Sequence, residues 1–87
     1  MLKVFEFIEI VAAFHACVMR EHTGDAVTFA EKLGISRSSL YNLISELKDY
    51  GIDIEYNREK QTFRYLYPER VEIKVTIRQN IENLSKN

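Results

Sequence analysis

The sequence predicts a mainly helical α+β domain: three helices, a small antiparallel sheet built from one hairpin, and a further strand over residues 71–77. Three observations lead there. Between Thr28 and Lys48 two segments of helical period meet at Leu33-Gly34-Ile35-Ser36, a stop followed at once by a start. Residues 52–57 alternate apolar and polar side chains, and in the returning strand 61–66 Phe63 and Tyr65 lie on one side with Thr62 and Arg64 on the other, the period of a half-buried strand. The chain has 87 residues, which suits one small domain with a single core and leaves no room for a deep catalytic cleft beside it. Residues 1–77 are read as that domain and 78–87 as a polar C-terminal tail.

Residues 2 to about 21 are expected to form the first helix. Phe5, Ile8, Ala12 and His15 make one stripe, and Val4, Phe7, Val11, Phe14 and Val18 a second. Together they cover more than half the circumference, wider than one core face needs. A central helix packed on two sides explains this width. A homodimer interface on a surplus face of Phe7, Phe14 and Val18 is the sharper alternative. Thr23 and Gly24 are expected to break the helix, and Asp25 to cap the next one, which runs from about Ala26 to Leu33. Either Val27 and Ala30 or Phe29 and Leu33 face the core.

Gly34 takes the positive φ that a helix stop needs, and Ser36 caps the third helix, expected from Arg37 to Tyr50. Leu40, Leu43, Ile44 and Leu47 line its inward face, while Arg37, Ser38, Tyr41, Asn42 and Ser45 lie outward. A generic solvated face would be richer in Glu and Lys. Gly51 is the next stop. Asn57-Arg58-Glu59-Lys60 then turns the hairpin without a glycine, and Tyr67-Pro68 ends the returning strand. Val71, Ile73, Val75 and Ile77 alternate with polar residues and predict a strand that extends the sheet or pairs with a partner's edge. Arg78–Asn87 is polar, with Ile81 and Leu84 at helical spacing.

The residues Phe29-Ala30, Leu33-Gly34-Ile35-Ser36 and Leu40–Ile52, continued by Asp53–Tyr65, resemble the helix-turn-helix and wing of winged-helix transcription regulators, in particular the N-terminal modules of the biotin-repressor, DeoR and WYL groups. About half the chain carries the resemblance. Phe29 stands where those families usually carry leucine. The resemblance implies a three-helix winged helix-turn-helix with a β-hairpin wing, acting as a DNA-binding transcription regulator. Helix 37–50 enters the major groove and the wing 54–66 lies on the backbone.

The expected DNA contacts are Ser36, Arg37, Ser38, Tyr41, Asn42, Ser45, Arg58, Lys60 and Arg64. A helix start offers free N–H groups and positive dipole to a phosphate, and its first side chains reach base edges. Arg37 suits guanine and Asn42 adenine. Arg58, Lys60 and Arg64 on the wing suit phosphate or the minor groove. For each residue taken alone, the plain alternative is a solvated surface side chain. The main evidence against DNA is the net charge of −1, because phosphate neutralisation supplies most non-specific affinity. Between Ser36 and Tyr65 five basic residues face five acidic ones, so the distribution decides. The competing expectation is a winged-helix interaction or dimerisation module with little DNA affinity, and the partner surfaces are the first helix or strand 71–77.

Other chemistries find little support. His15, Cys17 and His22 are the only soft ligands, and residues two apart on a helix point to nearly opposite sides, so no metal site assembles. No nucleophile–base pair or Gly-rich phosphate loop is present, so no enzyme and no cofactor are expected. One cysteine excludes an intrachain disulfide, which favours the cytoplasm. Glu6, Glu9 and His15 interrupt the apolar run from Val4 to Val18, against both a membrane span and a signal peptide. No small-molecule sensing segment is expected after the wing.

Overall fold

The computed structural model describes residues 4–72, Val4 by its backbone alone. Among them the chain forms three helices and one two-stranded antiparallel sheet, an α+β fold. The order is α1 (Val4–Met19), α2 (Ala26–Leu33), α3 (Arg37–Asp49), β1 (Ile54–Asn57) and β2 (Thr62–Tyr65), then a 3-10 turn at Pro68–Arg70. Of the strand expected over 71–77, residues 73–77 lie outside the described residues, as does the tail 78–87; Val71 and Glu72 belong to no strand.

All three helices end by one device, a residue in the left-handed region followed by a donor reaching back five residues. At α2 the left-handed residue is Gly34 (φ 69°), and Ile35 N–H donates to Ala30 O at 3.0 Å. After α3 it is Gly51 (φ 86°), with Ile52 N–H on Leu47 O at 2.9 Å. At α1 the stop is not at Thr23-Gly24 as the sequence suggested. Glu21 takes φ 51° and His22 N–H donates to Cys17 O at 3.0 Å. A non-glycine residue in this region costs roughly 1 kcal/mol, which is why no stop was visible there.

The core is a column of aromatic rings between α1 and the hairpin. Phe14 stacks on Phe29 with centroids 5.2 Å apart, Phe29 meets Phe63 at 5.8 Å, and Tyr56 meets Phe63 edge-on at 5.0 Å. Phe29 is fully buried and meets Phe14 of α1 and Phe63 of β2, so its ring fills the space between those two elements. Of the two inward pairings open for α2, Phe29, Ala30 and Leu33 are buried, while Val27 stays half exposed. Leu40 and Leu43 bring α3 onto this core, with Ile35, Ile44 and Leu47 packed at its edge. Phe14 and Val18 belong to the core, 0% and 1% exposed, so the surplus face expected on Phe7, Phe14 and Val18 is corrected. The apolar surplus of α1 lies on Phe5 and Phe7.

A hydroxyl pair pins the hairpin. Thr23 and Thr62 are both buried, their hydroxyls 3.1 Å apart. Phe63 N–H donates to Thr23 Oγ1 at 2.8 Å and Thr23 N–H to Thr62 Oγ1 at 3.1 Å. Strand alternation placed Thr62 on the outer side of the sheet. The loop after α1 covers that side locally, so both faces of β2 are buried at this point. Higher up, Tyr65 hydroxyl and His15 Nδ1 share a bond of 2.9 Å.

Candidate nucleic-acid interface

The third helix is held rigidly at its start. Ser36 Oγ accepts from Ser39 N–H at 3.0 Å and donates to Ser39 Oγ at 2.9 Å. The Ser36 hydroxyl is thereby committed to the cap. At about 100° per residue, Arg37, Tyr41, Ser45, Ser38 and Asn42 share one arc of about 140°, and all five are exposed. Residues 37–45 hold no acidic side chain. Glu46 and Asp49 follow only in the last turn, beside Lys48. Tyr41 leans toward the hairpin, lining an open groove with Asp25, Ala26, Val27, Tyr56 and Phe63. Asn42 lies on the other flank, in a groove with Phe7, Ile10, Ile35 and Leu43.

The two neighbouring helix starts differ electrostatically. Thr28 N–H donates to Asp25 Oδ1 at 2.9 Å, and this bond holds the Asp25 carboxyl below its ordinary value. The positive end of α2 is therefore matched by its own carboxylate. The first turn of α3 contains no acid and begins with Arg37, under a neutral serine cap. Of the two starts, α3 is the one whose positive end has no carboxylate in its cap or first turn.

On the hairpin, β1 and β2 pair Glu55 with Arg64 and Asn57 with Thr62, which leaves residues 58–61 as the loop. Asn57 Oδ1 accepts from Lys60 N–H at 3.0 Å, and Gln61 supplies the left-handed residue, φ 50°, that a glycine usually provides. Arg58 and Lys60 are exposed at this tip. Arg64 is placed apart from them. Its Nε donates to Glu55 Oε1 at 2.8 Å and its Nη2 lies 2.6 Å from the same oxygen. The pair lines a groove with Val18, Met19, Glu21, Leu66 and Pro68, beside the C-terminal end of α1. The structure thus brings Arg37, Ser38, Tyr41, Asn42 and Ser45 together on α3 and Arg58 with Lys60 on the loop, and couples Arg64 to a carboxylate.

Tyr56 and Val27, neither of them among the expected DNA contacts, share the groove with Tyr41. Their signal was weak, because both read as ordinary strand and helix residues. Among the described residues no group of three His, Cys, Asp or Glu side chains is arranged to hold a metal, and no helix is long and apolar enough to cross a membrane. No protein-family model, curated protein or solved structure matches the chain.

Proposed function

We propose that the chain is a winged-helix DNA-binding module that acts in transcription regulation. In this reading α3 enters the major groove and the hairpin loop rests on the phosphate backbone. One observation carries it: a capped helix exposes Arg37, Ser38, Tyr41, Asn42 and Ser45 on one arc, free of acids until its last turn. Arg37 at the helix start is the side chain best placed for a guanine edge, and Tyr41, Ser38 and Ser45 suit phosphates or base edges. Arg58 and Lys60 supply the backbone contacts. Arg64, engaged by Glu55, contributes less than its charge suggests.

The experiment is an electrophoretic binding and selection assay on random duplexes and genomic fragments. Binding is expected, and Arg37→Ala is expected to weaken the selected site by about 1–3 kcal/mol, roughly five- to 150-fold. Absence of salt-sensitive association with any duplex overturns the proposal. The Glu55–Arg64 pair favours the second reading, a winged helix that binds protein, since it removes one of four expected cations. That reading predicts no loss of function in Arg37→Ala.

A further inference from the structure

Three exposed apolar side chains from three different elements meet in one groove. Val27 of α2, Tyr41 of α3 and Tyr56 of β1 are 48%, 50% and 37% exposed, and they line it together with Asp25, Ala26 and Phe63. Tyr56 and Phe63 face each other across the two strands, and Tyr56 is held edge-on to the buried Phe63 ring with centroids 5.0 Å apart. One tyrosine of the groove is thus fixed by the core. Exposed apolar side chains gathered in this way mark a contact.

The charges around it select the occupant. Arg37 precedes Tyr41 by one helical turn, about 6 Å along α3. Arg58 and Lys60 follow Tyr56 on the exposed hairpin loop. Within the groove stands one exposed carboxylate, Asp25. One of its oxygens, Oδ1, accepts the Thr28 N–H at 2.9 Å, and the other remains an acceptor. Aromatic side chains, a single acceptor between them and cations at the rim are the complement of a nucleobase: its ring stacks on tyrosine, its amino group meets the carboxylate and its phosphates meet arginine and lysine. A basic peptide meets three cations here, and a purely aliphatic segment leaves Asp25 facing apolar atoms. The acceptor favours cytosine, whose N4 amino group is a donor.

We propose that the groove between Tyr41, Tyr56 and Val27 holds an unpaired base of single-stranded DNA, with its amino group on Asp25 and the adjoining phosphates on Arg58 and Lys60. This rests on the DNA reading above for the kind of polymer, and needs no helix in a major groove. The test uses the full chain and fluorescence anisotropy of labelled oligodeoxycytidylate, oligodeoxythymidylate and a duplex at low salt. Saturable binding of the single strands is expected, with the cytosine strand the tighter. Tyr56→Leu keeps an apolar side chain against Phe63 and removes the stacking ring. It is expected to weaken single-strand binding at least about fivefold and to leave duplex binding unchanged. Asp25→Asn keeps the helix cap and turns a donor toward the base, so the preference for cytosine over thymine should be lost. Duplex binding without single-strand binding overturns this proposal alone, and single-strand binding without duplex binding overturns the major-groove reading alone. Tyr56→Leu binding the single strands as the wild type does, or Asp25→Asn keeping the cytosine preference, overturns it too, and so does tighter binding of oligoribocytidylate, which assigns the groove to RNA.

Discussion

Replacing Thr23 by valine keeps the shape of a fully buried side chain and deletes its hydroxyl. That hydroxyl accepts the Phe63 N–H at 2.8 Å and lies 3.1 Å from Thr62 Oγ1. The variant leaves a buried backbone donor without its partner, and each such orphan costs about 1–3 kcal/mol. The Thr62 hydroxyl keeps its bond to Phe63 O, and the Gly24 carbonyl, to which the Thr23 hydroxyl donates at 2.8 Å, is only partly buried and can turn to water, so the buried Phe63 donor dominates and about 2 kcal/mol is expected. For a domain of this size that is a fall in Tm of roughly 8–16 °C. Thr23→Ser is the control. It retains the hydroxyl and loses one buried methyl, about 0.8 kcal/mol. Urea unfolding followed by dichroism measures both. Thr23→Val costing clearly more than Thr23→Ser supports the hydroxyl pair as the hairpin's anchor. Equal costs, or a Thr23→Val cost below about 0.5 kcal/mol, refute it, because packing alone would then hold the hairpin.

Phe29→Ala empties the centre of the aromatic column and is expected to cost about 3–5 kcal/mol in urea unfolding; a cost near 1 would mean that the rings beside it collapse into the space. Gln61→Gly relieves a left-handed non-glycine residue at φ 50° and is expected to raise stability by roughly 0.5–1 kcal/mol, read as a higher urea midpoint with unchanged dichroism. Burial pushes the Tyr65 phenol up from 10.0 to about 12. The folded state therefore favours the neutral phenol, and the stability it contributes is complete below pH 10 and lost as pH rises through about 12. Tyr65→Phe lacks this dependence, so the stability gap between the two proteins should narrow between pH 10 and 12, and parallel pH curves would contradict the assignment.

Much of the fold was legible because local chemistry and tertiary packing agree. Gly34, Ser36 and Gly51 are stops and starts by their backbone requirements, and α2 and α3 fall where those residues put them. The end of α1 was misjudged because Glu21 adopts a conformation that its side chain does not advertise. The hairpin shows a related limit. A turn over Asn57–Lys60 would set Asp53 opposite Arg64, but the left-handed Gln61 moves the loop to 58–61 and sets Glu55 there. Register, and with it the partner of Arg64, follows from one backbone angle at a glutamine. The outward arc of α3 was readable from helical spacing alone. The roles of Thr23 and Thr62 were not, since a threonine in a Gly-containing loop and one on an outer strand face both look solvent-directed until the two segments meet.

The salt dependence of duplex binding tests the DNA proposal most directly. Arg58 and Lys60 as phosphate-neutralising cations predict a log–log slope of about −1.8, two contacts at about −0.9 each. Affinity should then fall roughly 12-fold between 50 and 200 mM salt. The double variant Arg58→Ala/Lys60→Ala should bring the slope close to zero with dichroism unchanged. A wild-type slope near zero, or a double variant that binds with the wild-type slope, contradicts the account.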